Sequence, residues 1–369
     1  MIFFFFSIIL FFCAIIESRL LFKVSSCVLA LYFSLTFAYG YDWLNYYQSY
    51  LALGHGGDPF FGDLGFIFLM KICIGLGLPF PVYSFLVNII LYSLIIFFSS
   101  KMKCPSFCLF ALFAFLGFFM FTEQIRQGLA LSIVLFGFVL FFRKSNTRFL
   151  LVVAIACLFH MSAIMALFYY ILSATKRKYF SISLICCLLF YGVFITLMSN
   201  PQLVSSLTII ESKFETYGGM YADVNSNFLD FIIHSKMLFV YVFIVILLNV
   251  FGLKINKNYP AYSSAFLLVL TRSSSLLVRV GYYFLPFFLY SIDGFIYNEG
   301  KGLRCSWKKL TLCLVILFVS TIPIWTPMYK LGANSNLNIL STSADFNREI
   351  GVKCNILHIS SDIRTDGCS

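Results

Sequence analysis

The chain has 369 residues, of which 61% are hydrophobic and 11% charged, with a formal net charge of +11. A soluble domain carries about 25% charged residues to cover its surface, so a water-soluble fold is excluded. Nor does the positive balance indicate nucleic acid: the Lys and Arg residues fall mainly in short links between apolar runs, where membrane topology accounts for them.

Apolar runs cover residues 2–16, 20–38, 64–78, 82–98, 105–121, 126–142, 149–174, 179–198, 236–253, 260–277, 281–297 and 310–328. Most approach the roughly 20 residues a helix needs to cross the hydrocarbon layer. Lipid offers backbone groups no water, and the runs lack the two-residue alternation of barrel strands, so each span is expected to be helical. The fold class is therefore all-α, a polytopic transmembrane helix bundle of about ten to twelve spans with an outward-facing cavity. The opening run lacks a basic leader and a small-residue cleavage site, and it reads as a retained first helix rather than a signal peptide.

Basic links at Arg19 and Lys23, Lys176–Lys178, Lys254 and Lys257, and Lys301–Lys309 are expected on one cytoplasmic side. The stretches 39–63, 199–235 and the tail from 329 then form the outer face. Two links conflict with a simple count: Lys101 with Lys103, and Arg143 with Lys144 and Arg148, fall on the wrong side. The conflict disappears if segments 64–78 and 149–174 are re-entrant or broken, the second having a natural break at His160–Ser162. With no repeat or linker, the chain divides into a membrane domain, 1–328, and a polar tail, 329–369, expected to be outside and extended or weakly folded. Most of the cysteines behave as small hydrophobes; only Cys354 and Cys368, in the tail, are expected to pair.

An ionisable side chain within lipid costs at least about 2.5–3.5 kcal/mol, so each needs a partner, water or a task. That filter selects Lys71, Arg126, His160, Arg272 and Arg279, with Asp42, Asp58 and Asp63 in the first outer loop. The stretch Tyr39–Tyr50 combines Asp42 and Asn45 with many aromatic rings and no Lys or Arg. It suits sugars, whose C–H faces stack on rings while the carboxylate accepts from hydroxyls; a plain interfacial aromatic belt is the alternative. Glu123 and Arg126 are spaced to pair at i, i+3, with Gln127 adjacent. A guanidinium there is either half of a structural ion pair or a bidentate phosphate ligand. His160 is a packing histidine or a catalytic group, with no second metal ligand at suitable spacing. Arg279, with Tyr282 and Tyr283 about one turn away, is an interfacial anchor or a second phosphate ligand. Arg272 and Lys71 read as topology or pairing residues.

Asp42 with Tyr46 and Tyr50, Asp63-Leu-Gly-Phe66, Ile125-Arg-Gln127 with Ala130, Phe159-His160 with Ser162-Ala163, and Arg279 with Tyr282 follow one another in successive segments over residues 40–285. In this order they resemble the O-antigen and exopolysaccharide polymerases of the Wzy type, specifically the EpsG-like branch. The resemblance departs at Asp63, where the family pattern more often has glutamate followed by proline. It implies a bacterial inner-membrane enzyme facing outward. Such an enzyme transfers a growing glycan from undecaprenyl diphosphate to a lipid-linked acceptor repeat unit, without cofactor, metal or nucleotide. On that reading Asp42 and His160 are catalytic; Arg126, Gln127, Arg279, Tyr46, Tyr282 and Asp63 bind substrate. Arg126 and Arg279 are expected to face one another around the diphosphate. The expected partners are the undecaprenyl diphosphate-linked oligosaccharide, membrane lipid, a chain-length regulator and a flippase, and no nucleic acid. The rival readings are a flippase or transporter of the same units, which needs no outward base, and another membrane transferase such as an acyltransferase.

Overall fold

A computed structural model describes residues 2–200, 235–273, 275–299, 306–325, 327–335 and 337–360. The expected outer loop 199–235 lies largely outside the described residues, as do 301–305 and Cys368. The chain is a helical bundle: α1 Ile2–Ile16, α2 Arg19–Leu35, α3 Trp43–Gly54, α4 Leu64–Gly75, α5 Phe80–Ser100, α6 Pro105–Leu116, a π-helical turn Phe119–Glu123, α7 Ile125–Phe141 and α8 Asn146–Phe159. A 3-10 segment Met161–Leu167 leads to α9 Phe168–Leu172, α10 Arg177–Ser199, α11 Lys236–Val250, α12 Tyr259–Leu270, a 3-10 turn Thr271–Ser273, α13 Ser275–Gly281 and α14 Phe284–Glu299. The chain closes with α15 Trp307–Val319, α16 Ile322–Trp325, α17 Pro327–Gly332 and α18 Ser343–Ser360, plus a two-residue antiparallel pair, β1 Thr36–Phe37 with β2 Leu337–Asn338.

Among the described residues three helices, Phe80–Ser100, Arg177–Leu197 and Trp307–Trp325, are long and apolar enough to cross a membrane, and several shorter apolar helices accompany them. Their outer faces are oily: Phe5, Phe12, Val28 and Leu31 on α1 and α2, and Ile185, Leu189 and Val193 on α10, are all exposed. Such faces suit lipid as the solvent.

The helices form two compact units, Met1–Ile164 with Glu299–Ser369, and Met165–Asn298. In the first unit, α1 packs on α6 and α15, α2 on α5, α5 on α7, and α7 on α8. Rings knit the centre: Phe3, Phe6, Phe33 and Phe113 lie with centroids 5.1–6.4 Å apart. In the second unit, α12 packs against α9, α10 and α11.

One end of the first unit gathers the basic links. Glu17, between α1 and α2, accepts hydrogen bonds from the Ser106 and Phe107 amides at 2.8 and 3.3 Å, and from Lys309 Nζ at 3.2 Å. The α1–α2 link, the start of α6 and the start of α15 therefore meet, and Lys101 and Lys103 come with them. The ends of α5 and α7 also meet, with the Phe98 and Phe138 rings 6.4 Å apart, which brings Arg143 and Lys144 to the same end.

The reason is α4. At 12 residues it is about 18 Å long, too short to span. Both of its flanks return to α3: Phe60 N–H donates to Ser49 at 3.1 Å and Tyr50 O–H to Leu78 at 2.6 Å. It enters and leaves at one end. Segment 149–174 is broken as expected, α8 stopping at Phe159 and His160 extended with φ −164° and ψ 122°. Within the first unit the links at Arg19, Lys101 with Lys103, Arg143 with Lys144, and Lys309 therefore share one end.

The tail differs from the expected extended chain. Residues 343–360 form α18, and Phe346 stacks on Tyr47 at 4.7 Å and contacts Phe37, Trp43 and Phe80. Its helical pattern is sparse, one large ring and a Glu349–Lys353 pair at i, i+4, and so escapes a search for long apolar periodicity. Cys354 is disulfide-bonded; its expected partner Cys368 lies outside the described residues.

Candidate functional site

Opposite the basic end, the first unit collects polar groups. Asp42 precedes α3, Asp63 precedes α4, and Arg126 opens α7. Arg126 Nη1 and Asp63 Oδ2 form an ion pair, with side chains 24% and 10% exposed. The guanidinium lies 4.4 Å from the Phe61 ring centroid and 5.5 Å from that of Tyr46. The Tyr46 hydroxyl donates to the Glu123 carbonyl at 3.4 Å, and both Tyr46 and Asp42 lie within electrostatic reach of the guanidinium. The structure therefore brings Asp42, Tyr46, Asp63 and Arg126 together.

The expected i, i+3 pairing of Glu123 with Arg126 does not form in helical geometry. Glu123 ends the π-helical turn, and Gln124, with φ −92° and ψ 57°, breaks the helix before Arg126. Asp63 supplies the carboxylate instead. One guanidinium edge is thereby engaged, while the buried Nε has no hydrogen-bond partner. A buried donor left unmade costs about 1–3 kcal/mol, so this one is poised for a ligand oxygen.

The aromatic loop is not the open sugar platform that its composition suggested. Tyr39, Tyr41, Trp43, Tyr46 and Tyr50 are all at most 6% exposed: Tyr39 packs on Phe3 and Phe33 of α1 and α2, Tyr41 lies by Lys353 of the tail helix, and α3 turns Trp43, Tyr46 and Tyr50 onto Phe346, Phe66 and Tyr83 respectively. Tyr46 accordingly acts through its hydroxyl on Arg126. Gln127 is buried beside the arginine.

His160 stands at the end of α8. Its Nδ1 lies 2.5 Å from Ser162 Oγ, and the Ser162 amide is aimed at it from 3.4 Å, so these contacts suit the tautomer in which Nδ1 accepts. Gly65, two residues after Asp63, packs on the preceding turn: a Cβ there would lie 3.1 Å from the Leu158 carbonyl oxygen. This close approach sets the beginning of α4 beside the end of α8, the helix ends next to which Asp63 and His160 stand. Arg279 and Tyr282 belong to the second unit, where the Tyr282 ring lies 5.4 Å from the guanidinium of Arg272.

Residues missed by the sequence reading lie on α17 and α18. Lys353, 1% exposed, donates to the Gly332 and Asn334 carbonyls at 3.1 and 2.7 Å and lies 3.8 Å from Glu349 and 5.6 Å from the Tyr41 ring centroid. Burial pushes its ammonium down to about 8, against the attraction of Glu349 and Glu123. Tyr41 is pushed up to about 12 by burial and by Glu123. Gly40, with φ +73°, donates its N–H to Gly332 at 2.8 Å, and any Cβ there would meet the Glu123 side chain at 2.6 Å. Glu349 and Lys353 at i, i+4 were the available signal. Among the described residues no group of three or more His, Cys, Asp or Glu side chains is placed to hold a metal ion.

A family model for the EpsG family matches residues 19–338, most of the chain and every site residue named above except those on α18. The chain belongs to the EpsG family. Membership makes it a membrane protein of the polysaccharide-polymerase type. No curated protein and no solved structure matches the chain. The EpsG-family match ends at residue 338, before α18 and Lys353.

Proposed function

We propose that this EpsG-family chain polymerises lipid-linked oligosaccharide repeat units. It transfers the growing glycan from undecaprenyl diphosphate to a hydroxyl of an acceptor unit, at the outer side of a bacterial inner membrane. The observation that carries the reading is Arg126: an arginine at a helix start, oriented by Asp63 and Tyr46, with a buried Nε that lacks a partner.

A guanidinium in a water-poor site neutralises a diphosphate leaving group as its charge develops, which is where electrostatic catalysis contributes most. Asp42, half-buried within electrostatic reach of Arg126, takes the proton of the acceptor hydroxyl as that oxygen bonds to the anomeric carbon. The bond from that carbon to the diphosphate oxygen breaks, and the lipid diphosphate leaves on Arg126. His160, in the tautomer whose Nδ1 accepts from Ser162, donates through Nε2 to a substrate oxygen. Asp63 holds the arginine and takes no proton. Gln127, Arg279 and Tyr282 are assigned to substrate binding, and the oily helix faces hold the polyprenyl tail. No step calls for a metal, a nucleotide or another cofactor. A chain-length regulator and a flippase are the protein partners such a reaction requires.

A flippase of the same units would share the arginine but needs no proton acceptor beside it; the placement of Asp42 favours the polymerase. Deletion of the gene, followed by gel analysis of surface saccharide, separates them. A polymerase deletion leaves single repeats attached to their acceptor, whereas a flippase deletion leaves none.

A further inference from the structure

Among the described residues, three buried or partly buried cations are paired with carboxylates. Lys309 has Glu17, Lys353 has Glu349 and Arg126 has Asp63. Arg272 is different. It is 4% exposed, and among the described residues its hydrogen-bond partner is a neutral phenol, the Tyr241 hydroxyl, 3.0 Å from Nη2. The Tyr241 and Tyr282 rings lie 5.1 and 5.4 Å from Cζ, and Nε is buried with no hydrogen-bond partner. No described carboxylate forms an ion pair with it.

Its backbone setting is equally unusual. Arg272 sits where α12 gives way to the 3-10 turn and then to α13, a broken helix inside an apolar unit. The flanking hydroxyls are used locally, Thr271 Oγ1 donating to Leu268 and Ser273 Oγ to Leu270 at 2.9 and 2.8 Å. Broken helices at membrane depth are tolerated where they form a site, and polar groups held there are functional by default.

We propose that Arg272 is an anion site that binds the phosphate of a membrane amphiphile. The planar fork matches phosphate oxygens, and the Tyr241 and Tyr282 faces fix its plane. An amphiphile is favoured over a free aqueous anion because the neighbouring helices present Phe239, Phe243, Ile246 and Tyr290 outward, an oily surface that suits an acyl or prenyl tail. The phosphate belongs either to a bilayer phospholipid or to a polyprenyl diphosphate. The site does not rest on the polymerase reading.

Native mass spectrometry of the purified full chain, titrated with phosphatidylglycerol and with farnesyl diphosphate, tests the proposal without any activity readout. The wild-type chain is expected to retain an anionic amphiphile that Arg272→Met loses, with affinity reduced at least tenfold. Arg272→Lys, which keeps the charge but not the fork, is expected to fall at least threefold, and Tyr241→Phe to stay close to wild type. Displacement of phosphatidylglycerol by farnesyl diphosphate assigns the site to the prenyl carrier; retention against it assigns the site to bilayer lipid. Wild-type affinity for both probes in the Lys and Met variants, or no retention by the wild-type chain, overturns it.

Discussion

Asp63 and Arg126 meet across the first turns of two helices, joined by an ion pair between residues 63 positions apart. The contact fixes where α4 begins against α7, and it leaves the buried Nε of the arginine for another oxygen. Removing one member of a largely buried pair strands the other charge, which costs about 3–5 kcal/mol. Asp63→Asn should therefore lower thermal stability in detergent and abolish long polysaccharide, and Asp63→Glu should recover part of both. A normal melting temperature in the Asn variant would show that the pair does not hold the arginine.

Glu17 and Lys309 hold the opposite end, where Glu17 also receives two amides from the start of α6. Burial raises the Glu17 carboxyl, while Lys309 and the amides pull it back. Glu17→Gln leaves Lys309 buried without its charge partner and is expected to cost about 3 kcal/mol. Combining it with Lys309→Met should cost less than the sum of the two single changes. A double-mutant cycle of melting temperatures checks this, and strict additivity would rule out the coupling.

Lys353 makes the docking of α18 depend on pH. Its folded value, about 8, lies below the ordinary 10.5, so between those values the unfolded or undocked state binds more protons than the docked one. Stability therefore rises with pH through that window, by roughly 3 kcal/mol in full. Amide exchange in residues 343–356 should slow, relative to the intrinsic rate, as pH goes from 7.5 to 10, and Lys353→Met should erase the trend. Faster relative exchange at high pH in the wild-type chain would contradict the assignment.

Much of the fold was legible because the apolar runs are long: α1 matches its expected run, and α5, α7 and α10 match to within about two residues. The break at His160 and the re-entrant α4 were legible from the basic links that would otherwise sit on the wrong side. The site was legible as residues but not as pairings. Glu123 and Arg126 have ideal helical spacing in the sequence, yet a π-helical turn and Gln124 intervene, and the carboxylate arrives from Asp63. The Tyr and Trp residues of 39–50 looked like a ligand surface because amphipathic rings serve as readily for packing; only the docking of Phe346 shows which. Arg272 read as a topology or pairing residue because its aromatic partners, Tyr241 on α11 and Tyr282 beyond α13, are not its neighbours in sequence.

Gly40 tests how closely the first outer segment fits. A side chain there meets both a left-handed φ of +73° and the Glu123 side chain at 2.6 Å. Gly40→Ala should cost about 1–2 kcal/mol from the backbone alone and shorten polysaccharide chains by displacing Asp42. Wild-type stability in that variant would mean that the segment adapts freely.

Orientation follows from the separation of the two ends. A cysteine placed at residue 308 should resist a membrane-impermeant reagent in intact cells, whereas one placed at Asn45 should react. The reverse pattern would put the Arg126 cluster on the cytoplasmic side and exclude polymerisation at the outer face.

The central claim is that Arg126 clamps the diphosphate of a lipid-linked glycan during polymerisation. Complementing a gene deletion with Arg126→Lys and resolving the surface saccharide on a gel tests it most directly, because lysine keeps the charge but loses the fork. The account predicts normal protein abundance, single repeats attached to their acceptor and no long chains. Normal long chains would contradict the clamp, and the absence of all surface repeats would contradict the polymerase.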